Sequence, residues 1–143
     1  MLTPPNVYVK DTGTAKGRGV FASRAFRKGE IVEISPVVLF QMQYNSLPKV
    51  VKTLVFDWEM LAGKDRNHAL ALGYGSFYNH NNPANMRYEA DSENNLLRFI
   101  AVRDIDVDEE LTINYSAEGG APISNEENDN NWFEDHKVKP IID

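Results

Sequence analysis

The chain has 143 residues, 42% of them hydrophobic and 25% charged, which is typical of a single globular domain that buries a core of its own. Its net charge of −6 argues against direct binding to the phosphate backbone of nucleic acids and weakly favours basic partners. The absence of cysteine excludes disulfides, thiolate nucleophiles and cysteine-based zinc or iron–sulfur sites, and it fits a reducing compartment.

The apolar segments set a further limit on the class of protein. None approaches the ~20 residues of a membrane helix, and the first residues lack the basic and apolar regions of a secretory signal. We therefore expect a soluble intracellular protein, cytoplasmic or nuclear, with no membrane partner.

Short strands are predicted throughout the first forty residues. Gly29 lies in a turn where a positive φ is needed, and Ser35-Pro36 is expected to interrupt the β-branched stretch that follows. The predicted strands are residues 6–10, 31–34 and 37–40, and a further strand is fed by the glycine pair within residues 15–23.

The middle of the chain combines a short helix with two hairpins. Asn45 is the predicted N-cap of the helix, with Pro48 in its first turn. The alternating residues 54–59 suit a strand, which a turn at 63–66 joins to a strand at 68–72 in the first hairpin. The later predicted elements are strands at 86–89 and 95–102 that form the second hairpin, an acidic turn at 104–108 and a strand at 110–115.

Together these elements amount to nine or ten short strands, with turns every ~8–12 residues and at most two short helices, which predicts a mainly β single domain. No internal repeat or linker divides it. The segment 75–85 between the hairpins is rich in glycine, asparagine and proline, which add little stability and are typical of a loop that positions polar groups.

Three short motifs indicate chemistry only weakly when each is taken alone. Gly17-Arg18-Gly19 is most simply a bend between strands, because no Gly-Lys-Ser/Thr follows it as in a phosphate-binding loop. Asn79-His80 is most simply a capping asparagine with a surface histidine, and Tyr115 is most simply a tyrosine at the edge of the core.

The order and spacing of the motifs are more specific than any one of them. The stretches KGRGVFASRAFRKGE (16–30), SFYNHNNPAN (76–85) and FIAVRDIDVDEELTINY (99–115) together resemble the SET domain, the family of S-adenosylmethionine-dependent protein lysine methyltransferases. The resemblance spans residues 6–115 and is closest to the compact, single-domain members that lack extra zinc-binding modules.

The resemblance implies both a fold and an activity. The implied fold is mainly β, a SET-type (β-clip-like) arrangement of several small curved sheets with few short helices, whose C-terminal segment passes beneath an earlier loop in a pseudoknot. Residues 1–120 would form the SET domain, and residues 121–143 an acidic C-terminal extension. The implied activity is methyl transfer from S-adenosylmethionine to an accessible lysine of a protein substrate.

The resemblance also assigns roles to matching positions. The asparagine that matches Asn79 binds the methionine end of the cofactor, and the histidine that matches His80 supports the cofactor and the neighbouring tyrosine. The tyrosine that matches Tyr115 lies beside the methyl-transfer channel, so Tyr115 is the expected catalytic residue. The residues expected to contact the cofactor are Lys16, Gly17, Arg18, Gly19, Asn79, His80 and Tyr115.

The chemistry agrees with these residue types. Methyl transfer from a sulfonium needs a neutral amine, and an apolar, aromatic-lined slot lowers the pKa of a lysine amine by desolvation. No strong base is then required, only alignment and a hydroxyl that orients the amine, which Tyr115 can supply. No metal site is expected, and each aromatic taken alone is more simply a core residue. The aromatic candidates for the channel are Tyr44, Tyr74, Phe77, Tyr78, Trp132 and Phe133.

The chain departs from the family pattern in several places. Pro83 stands one place early, while Asn85 keeps its spacing. Asp108 and Asn114 stand where the family favours glycine and often aspartate, and Asp108 is expected to adopt a positive φ at modest cost. Because no cysteine-rich zinc segment can form, another element must complete the channel, and the pair Trp132-Phe133 is either that lid or a hydrophobic anchor of the C-terminus.

Two other functions stay open at this point. The chain is alternatively a catalytically inactive SET-like module that binds a partner by strand pairing, or a sensor that binds S-adenosylmethionine without a protein substrate. The combination of Asn79, His80 and Tyr115 favours the enzyme, because a scaffold has no need of this tyrosine at this spacing.

Overall fold

The computed structural model describes residues 2–62 and 68–116, and in these ranges it confirms a mainly β fold of small sheets. Its nine strands agree with the predicted number, and its α-helices are two and short. The strands are β1 (Val7–Asp11), β2 (Arg18–Ala22), β3 (Ile31–Phe40), β4 (Val55–Asp57), β5 (His68–Ala71), β6 (Asn79–His80), β7 (Met86–Asp91), β8 (Leu96–Ala101) and β9 (Thr112–Ile113). The helices are α1 (Lys49–Lys52) and α2 (Trp58–Ala62), and a 3₁₀ turn occupies Tyr44–Ser46.

The strands are arranged in three sheets. β1 and β2 form an antiparallel pair, and a five-stranded sheet has the order β4-β5-β3-β8-β7. The antiparallel pairing β7–β8 confirms the second predicted hairpin. β4 pairs with β5 as predicted, but α2 follows β4 directly, and the predicted turn at 63–66 lies outside the described residues. The third sheet contains only β6 and β9, which run parallel.

β3 is one continuous strand, so the predicted break at Ser35-Pro36 is wrong. Its first part, through Pro36, pairs with β8, and its second part, from Val37, pairs with β5. Pro36 therefore lies where the strand changes partner, a position at which a residue without an N–H is tolerated. Its carbonyl still accepts a hydrogen bond from the N–H of Leu72 at 2.9 Å.

The segment between β3 and β5 is more helical than its alternation predicts. α1 begins after Pro48 rather than at Asn45, and Pro48 takes the N-cap position. The predicted strand at 54–59 is reduced to β4, because Trp58 begins α2. Trp58 is buried among the core residues, so tertiary packing rather than the local pattern decides its conformation.

The core brings together side chains from every sheet. Its largest fully buried members include Trp58, Tyr78, Phe26, Phe99 and Met86. Tyr78 immediately precedes β6, and Leu111, also fully buried, immediately precedes β9. The core thus anchors the entrance to both strands of the parallel pair. No helix within the described ranges is long and apolar enough to cross a lipid bilayer.

Candidate functional site

The parallel pairing of β6 with β9 brings distant parts of the chain together. Asn79 is paired with Thr112 and His80 with Ile113, and the N–H of Asn81 donates to the carbonyl of Ile113 at 3.1 Å. The segment 75–85 was predicted as a loop, but it contains this two-residue strand. The pairing places β9 against the earlier segment, as the predicted fold requires.

His80 is joined directly to the segment that follows β9. Its Nδ1 accepts a hydrogen bond of 3.0 Å from the backbone N–H of Tyr115, and the two rings lie 5.4 Å apart. A nitrogen that accepts a hydrogen bond carries no proton, so the neutral imidazole here has its proton on Nε2. The imidazole therefore fixes the backbone from which the Tyr115 side chain projects.

The hydroxyl of Tyr115 points back toward the start of β6. It donates a hydrogen bond to the backbone carbonyl of Tyr78. Burial, followed by the nearby Tyr88 phenol and the Glu110 carboxylate, raises the pKa of Tyr115. The phenol is consequently protonated throughout the neutral range, so it can orient a polar group but cannot act as a base.

The amide of Asn79 has a defined orientation. Its Nδ2 donates to the carbonyl of Arg18 at 3.0 Å and to Oε2 of Glu110 at 2.8 Å. Because both partners are acceptors, the amide nitrogen is assigned to their side and Oδ1 is directed away from them. Asn79 thus presents a carbonyl oxygen on its other side, which is suited to a cationic or N–H donor.

The glycine-bearing segment before β2 lies beside Asn79. A Cβ on Gly19 would lie 2.4 Å from Oε2 of Glu110 and 3.1 Å from Nδ2 of Asn79, so a larger residue would displace these side chains. Gly17 has a φ of +74° and forms the turn before the strand. The Nζ of Lys16 donates to the carbonyl of His80 at 3.1 Å. The structure therefore brings residues 16–19 to the same place as Asn79 and His80.

The segment 105–111 holds Glu110 in this arrangement. The N–H of Leu111 donates to the carbonyl of Val20 at 2.8 Å, and the N–H of Ala22 donates to the carbonyl of Glu109 at 3.0 Å. These bonds fasten the approach to β9 alongside β2. Glu110 was not predicted as a site residue, because its importance depends on a contact with Asn79, 31 positions away.

The predicted channel aromatics lie in different surroundings. The Tyr78 ring is 1% exposed and packs on Phe99 at 4.8 Å, so the part of Tyr78 that meets Tyr115 is its carbonyl. Tyr74 is half-buried against the core. Phe77 is 46% exposed, and its ring centre lies 5.6 Å from the guanidinium carbon of Arg18.

Tyr44 is the remaining aromatic candidate that the structure describes. Tyr44 donates its hydroxyl to the carbonyl of Lys52 at 3.1 Å, and its ring lies 5.8 Å from that of His68. Burial raises its pKa to about 12. Trp132 and Phe133 lie outside the described residues. Tyr88, which was not predicted, contributes to raising the pKa of Tyr115, and its own ring packs against Phe56 and Phe99.

The structure accommodates two residues that depart from the family pattern, Asp108 and Asn114. Asp108 has a φ of +67°, which confirms the expected positive φ, and its Oδ1 accepts a hydrogen bond from the hydroxyl of Tyr8 at 2.7 Å. Asn114 is buried, and its Oδ1 accepts from the N–H of Ser116 at 2.9 Å. An asparagine keeps the acceptor that an aspartate would provide at this position.

Comparisons with known proteins agree with this architecture. The family model described as the SET domain matches residues 17–116. A curated relative from Schizosaccharomyces pombe, named histone-lysine N-methyltransferase, H3 lysine-37 specific, is 32% identical over 130 residues. That alignment covers 89% of this chain and 76% of the relative.

Solved structures show the same fold. The crystal structure of a Plasmodium falciparum protein, described as a candidate histone methyltransferase, matches with a TM-score of 0.63 and 25% identity, over 81% of this chain and 97% of that one. A chain of an active polycomb repressive complex 2 in its basal state matches with a TM-score of 0.66 and 20% identity, over 80% of this chain and 16% of that one.

Proposed function

Because this chain belongs to the SET domain family of protein lysine methyltransferases, we propose that the junction of β6 and β9 is its methyl-transfer site. Enzymes of this family generally use S-adenosylmethionine, and we propose the same cofactor here. The observation that carries the proposal is the convergence of residues 16–19, Asn79, His80 and Tyr115 through direct hydrogen bonds.

The polar groups at the junction fit the cofactor's amino-acid end, which carries one ammonium and one carboxylate. The Oδ1 of Asn79 and the carboxylate of Glu110 are suited to the ammonium, and the Lys16 ammonium is suited to the carboxylate. Such a group needs both signs of charge within a small space, and Lys16, which contacts His80, and Glu110, which contacts Asn79, supply them. When bound, the cofactor supplies a methyl group on a sulfonium.

In this proposal Tyr115 orients the substrate amine. Its raised pKa keeps the phenol protonated, and its proton is donated to the Tyr78 carbonyl. The oxygen lone pairs remain able to accept an N–H from a neutral lysine amine. The lysine loses its proton to water before transfer, favoured by desolvation in an apolar channel. The tyrosine therefore contributes alignment rather than proton abstraction.

The substrate is a protein with an accessible lysine. Histone H3 is the first protein to test, since the relative that is 32% identical is named for lysine 37 of H3. The net charge of −6 agrees with a basic substrate segment. A histone substrate would place the enzyme in the nucleus. The boundary at residue 120 and the covering of the channel by residues 121–143, including Trp132-Phe133, stay predictions.

The test compares the parent with Tyr115→Phe. Calorimetric titration measures the dissociation constant of S-adenosylmethionine, and mass spectrometry measures methylation of histone H3 and of a lysine-rich peptide pool. We expect turnover to fall by about 100-fold while the dissociation constant changes little, because only alignment is lost. An equal methylation rate in the variant would exclude the assigned role of Tyr115. A parent that binds neither the cofactor nor its demethylated product would contradict the site itself.

A further inference from the structure

Glu33 is a carboxylate in the core that the proposed mechanism leaves without a role. It lies on β3, which supplies the centre of the five-stranded sheet, and it is 4% exposed. An ionisable group in such a position costs stability unless specific hydrogen bonds compensate for its lost hydration. An apolar residue would fill a core position of this kind at no such cost.

Both oxygens of Glu33 accept hydrogen bonds from one short segment, residues 73–78. Oε1 accepts from the hydroxyl of Tyr78, and Oε2 accepts from the backbone N–H of Tyr74 at 3.0 Å. Gly73, at a φ of +70°, approaches so closely that a Cβ there would lie 2.6 Å from Oε2. One carboxylate thus fastens both ends of the segment that leads into β6.

The contacts continue from Tyr78 to the proposed site. The hydroxyl of Tyr78 donates a hydrogen bond to Glu33, and the backbone carbonyl of Tyr78 accepts one from the hydroxyl of Tyr115. Tyr78 is further held by its buried ring, which packs on Phe99 at 4.8 Å, so one residue joins the core contacts to that carbonyl. The position of the Tyr115 hydroxyl consequently depends on the position of Tyr78 in the core.

We propose that Glu33 is a positioning residue for methyl transfer, which holds Tyr78 so that its carbonyl fixes the hydroxyl of Tyr115. The proposal rests on the function assigned to Tyr115 above. It adds a residue on a central strand, 82 positions before the tyrosine, to the machinery of the reaction. Burial raises the pKa of Glu33, while the bonds from Tyr74 and Tyr78 oppose that rise and favour the ion.

The main test is Tyr78→Phe, which removes the hydroxyl but keeps the ring and the backbone carbonyl. We expect a roughly tenfold to hundredfold fall in kcat, since small misplacements of aligned groups have effects of that size. The KM for S-adenosylmethionine should stay within about twofold, because the contacts of Asn79 do not involve Glu33. Tyr8→Phe is the matched control, as it breaks another tyrosine–carboxylate bond, to Asp108, and should leave kcat unchanged.

Variants of Glu33 test the same link from the other side. Glu33→Ala removes both acceptors and should lower kcat at least as much as Tyr78→Phe. Glu33→Gln retains one acceptor oxygen for Tyr78 and should recover most of the lost kcat. If Glu33→Ala does not fold, the kcat values of the other two variants still test the proposal. A low kcat in Tyr78→Phe with a kcat near the parental value in Glu33→Gln would support it, and a parental kcat in Tyr78→Phe would overturn it.

A double variant separates positioning from a general structural role. If Tyr78 acts through the Tyr115 hydroxyl, Tyr78→Phe should have little further effect on kcat in a Tyr115→Phe background. Additive losses would overturn the inference. A parental kcat in Tyr78→Phe, with Tyr115→Phe slow, would also overturn it and leave the proposed function standing. Parental rates in both single variants would instead contradict the proposed function.

Discussion

Asn85 connects the end of the β6 segment to the approach to β9. It is 2% exposed, and its Nδ2 donates to Oε2 of Glu109 at 3.0 Å and to the carbonyl of Glu110 at 2.7 Å. Its Oδ1 accepts from the N–H of Thr112 at 2.9 Å. One buried amide therefore satisfies two backbone groups, the Glu110 carbonyl and the Thr112 N–H, in the segment that leads to Tyr115.

We expect Asn85→Ala to lower the free energy of unfolding by about 2–6 kcal/mol, because two buried backbone groups lose their partners at about 1–3 kcal/mol each. The measurement is urea unfolding followed by circular dichroism. Asn94→Ala is the control, since Asn94 is exposed and bonds only to Asp91. Its effect should be about 0.5 kcal/mol or less. Similar losses in the two variants would show that Asn85 is not the connection described.

The site depends most closely on the contact between the strands β2 and β6. It brings Gly19, Asn79 and Glu110 within a few ångströms of one another, and the space beside Gly19 is filled by the Glu110 carboxylate. A methyl group there would meet the movable end of that carboxylate rather than backbone. The expected consequence is a broken Asn79–Glu110 bond in a chain that still folds.

Gly19→Ala should therefore raise the dissociation constant of S-adenosylmethionine by about tenfold, the equivalent of one hydrogen bond. Calorimetric titration provides the value. Gly29→Ala is the matched control, because Gly29 has a φ of +91° with open space around it and lies in the β2–β3 turn. That change should cost about 1 kcal/mol of stability without altering the affinity. An unchanged affinity in Gly19→Ala would remove Gly19 from the site.

At the scale of elements, the sequence predicts what short-range patterns determine. The hairpin β7–β8 and the pairing of β4 with β5 join neighbouring segments, so alternation and turn residues are enough to predict that these strands pair. The continuity of β3 through Pro36 depends on a change of partner, which no local signal contains. β6 is hidden in a turn-rich segment for the same reason, since its partner lies more than thirty residues away.

The candidate site shows the same limit. Asn79, His80 and Tyr115 were selected from a family resemblance, and the structure joins them by direct contacts. Glu33 and Glu110 had no such signal, because each is defined by a bond to a residue far along the chain. Hydrogen bonds between residues so far apart in the sequence are fixed by how the sheets pack together. The hydrophobic periodicity of the sequence does not describe that packing.

At the scale of the whole molecule, the site exists only in the folded chain. Its groups come from residues 16 to 115 and meet through contacts of the β6–β9 pair with β2 and with the segments next to these strands. Two partly or largely buried carboxylates in this network have opposite pKa shifts. Burial raises the pKa of Glu33 above its usual 4.5. Burial also acts to raise that of Glu109, but bonds from Arg103, Asn85 and the Asp106 N–H outweigh it and lower the pKa.

These shifts predict opposite contributions to stability. The folded-state pKa of Glu33 lies above the unfolded value, so its contribution is complete below pH 4.5 and is lost as pH rises through the folded pKa. The folded-state pKa of Glu109 lies below the unfolded value. Its contribution is therefore complete above pH 4.5 and is lost as the pH falls through the folded pKa.

The corresponding experiment measures the free energy of unfolding from about pH 3 to about pH 8 for the parent, Glu33→Gln and Glu109→Gln. Relative to Glu33→Gln, the parent should become less stable as the pH rises above 4.5, and relative to Glu109→Gln it should become less stable as the pH falls below 4.5. The quantity to compare is the slope, against pH, of the difference in unfolding free energy between parent and variant. A lost hydrogen bond only adds an offset to this difference that does not vary with pH. Parallel curves for the parent and Glu33→Gln would show that Glu33 is equally ionised in the folded and unfolded chains, and burial would then not govern its charge.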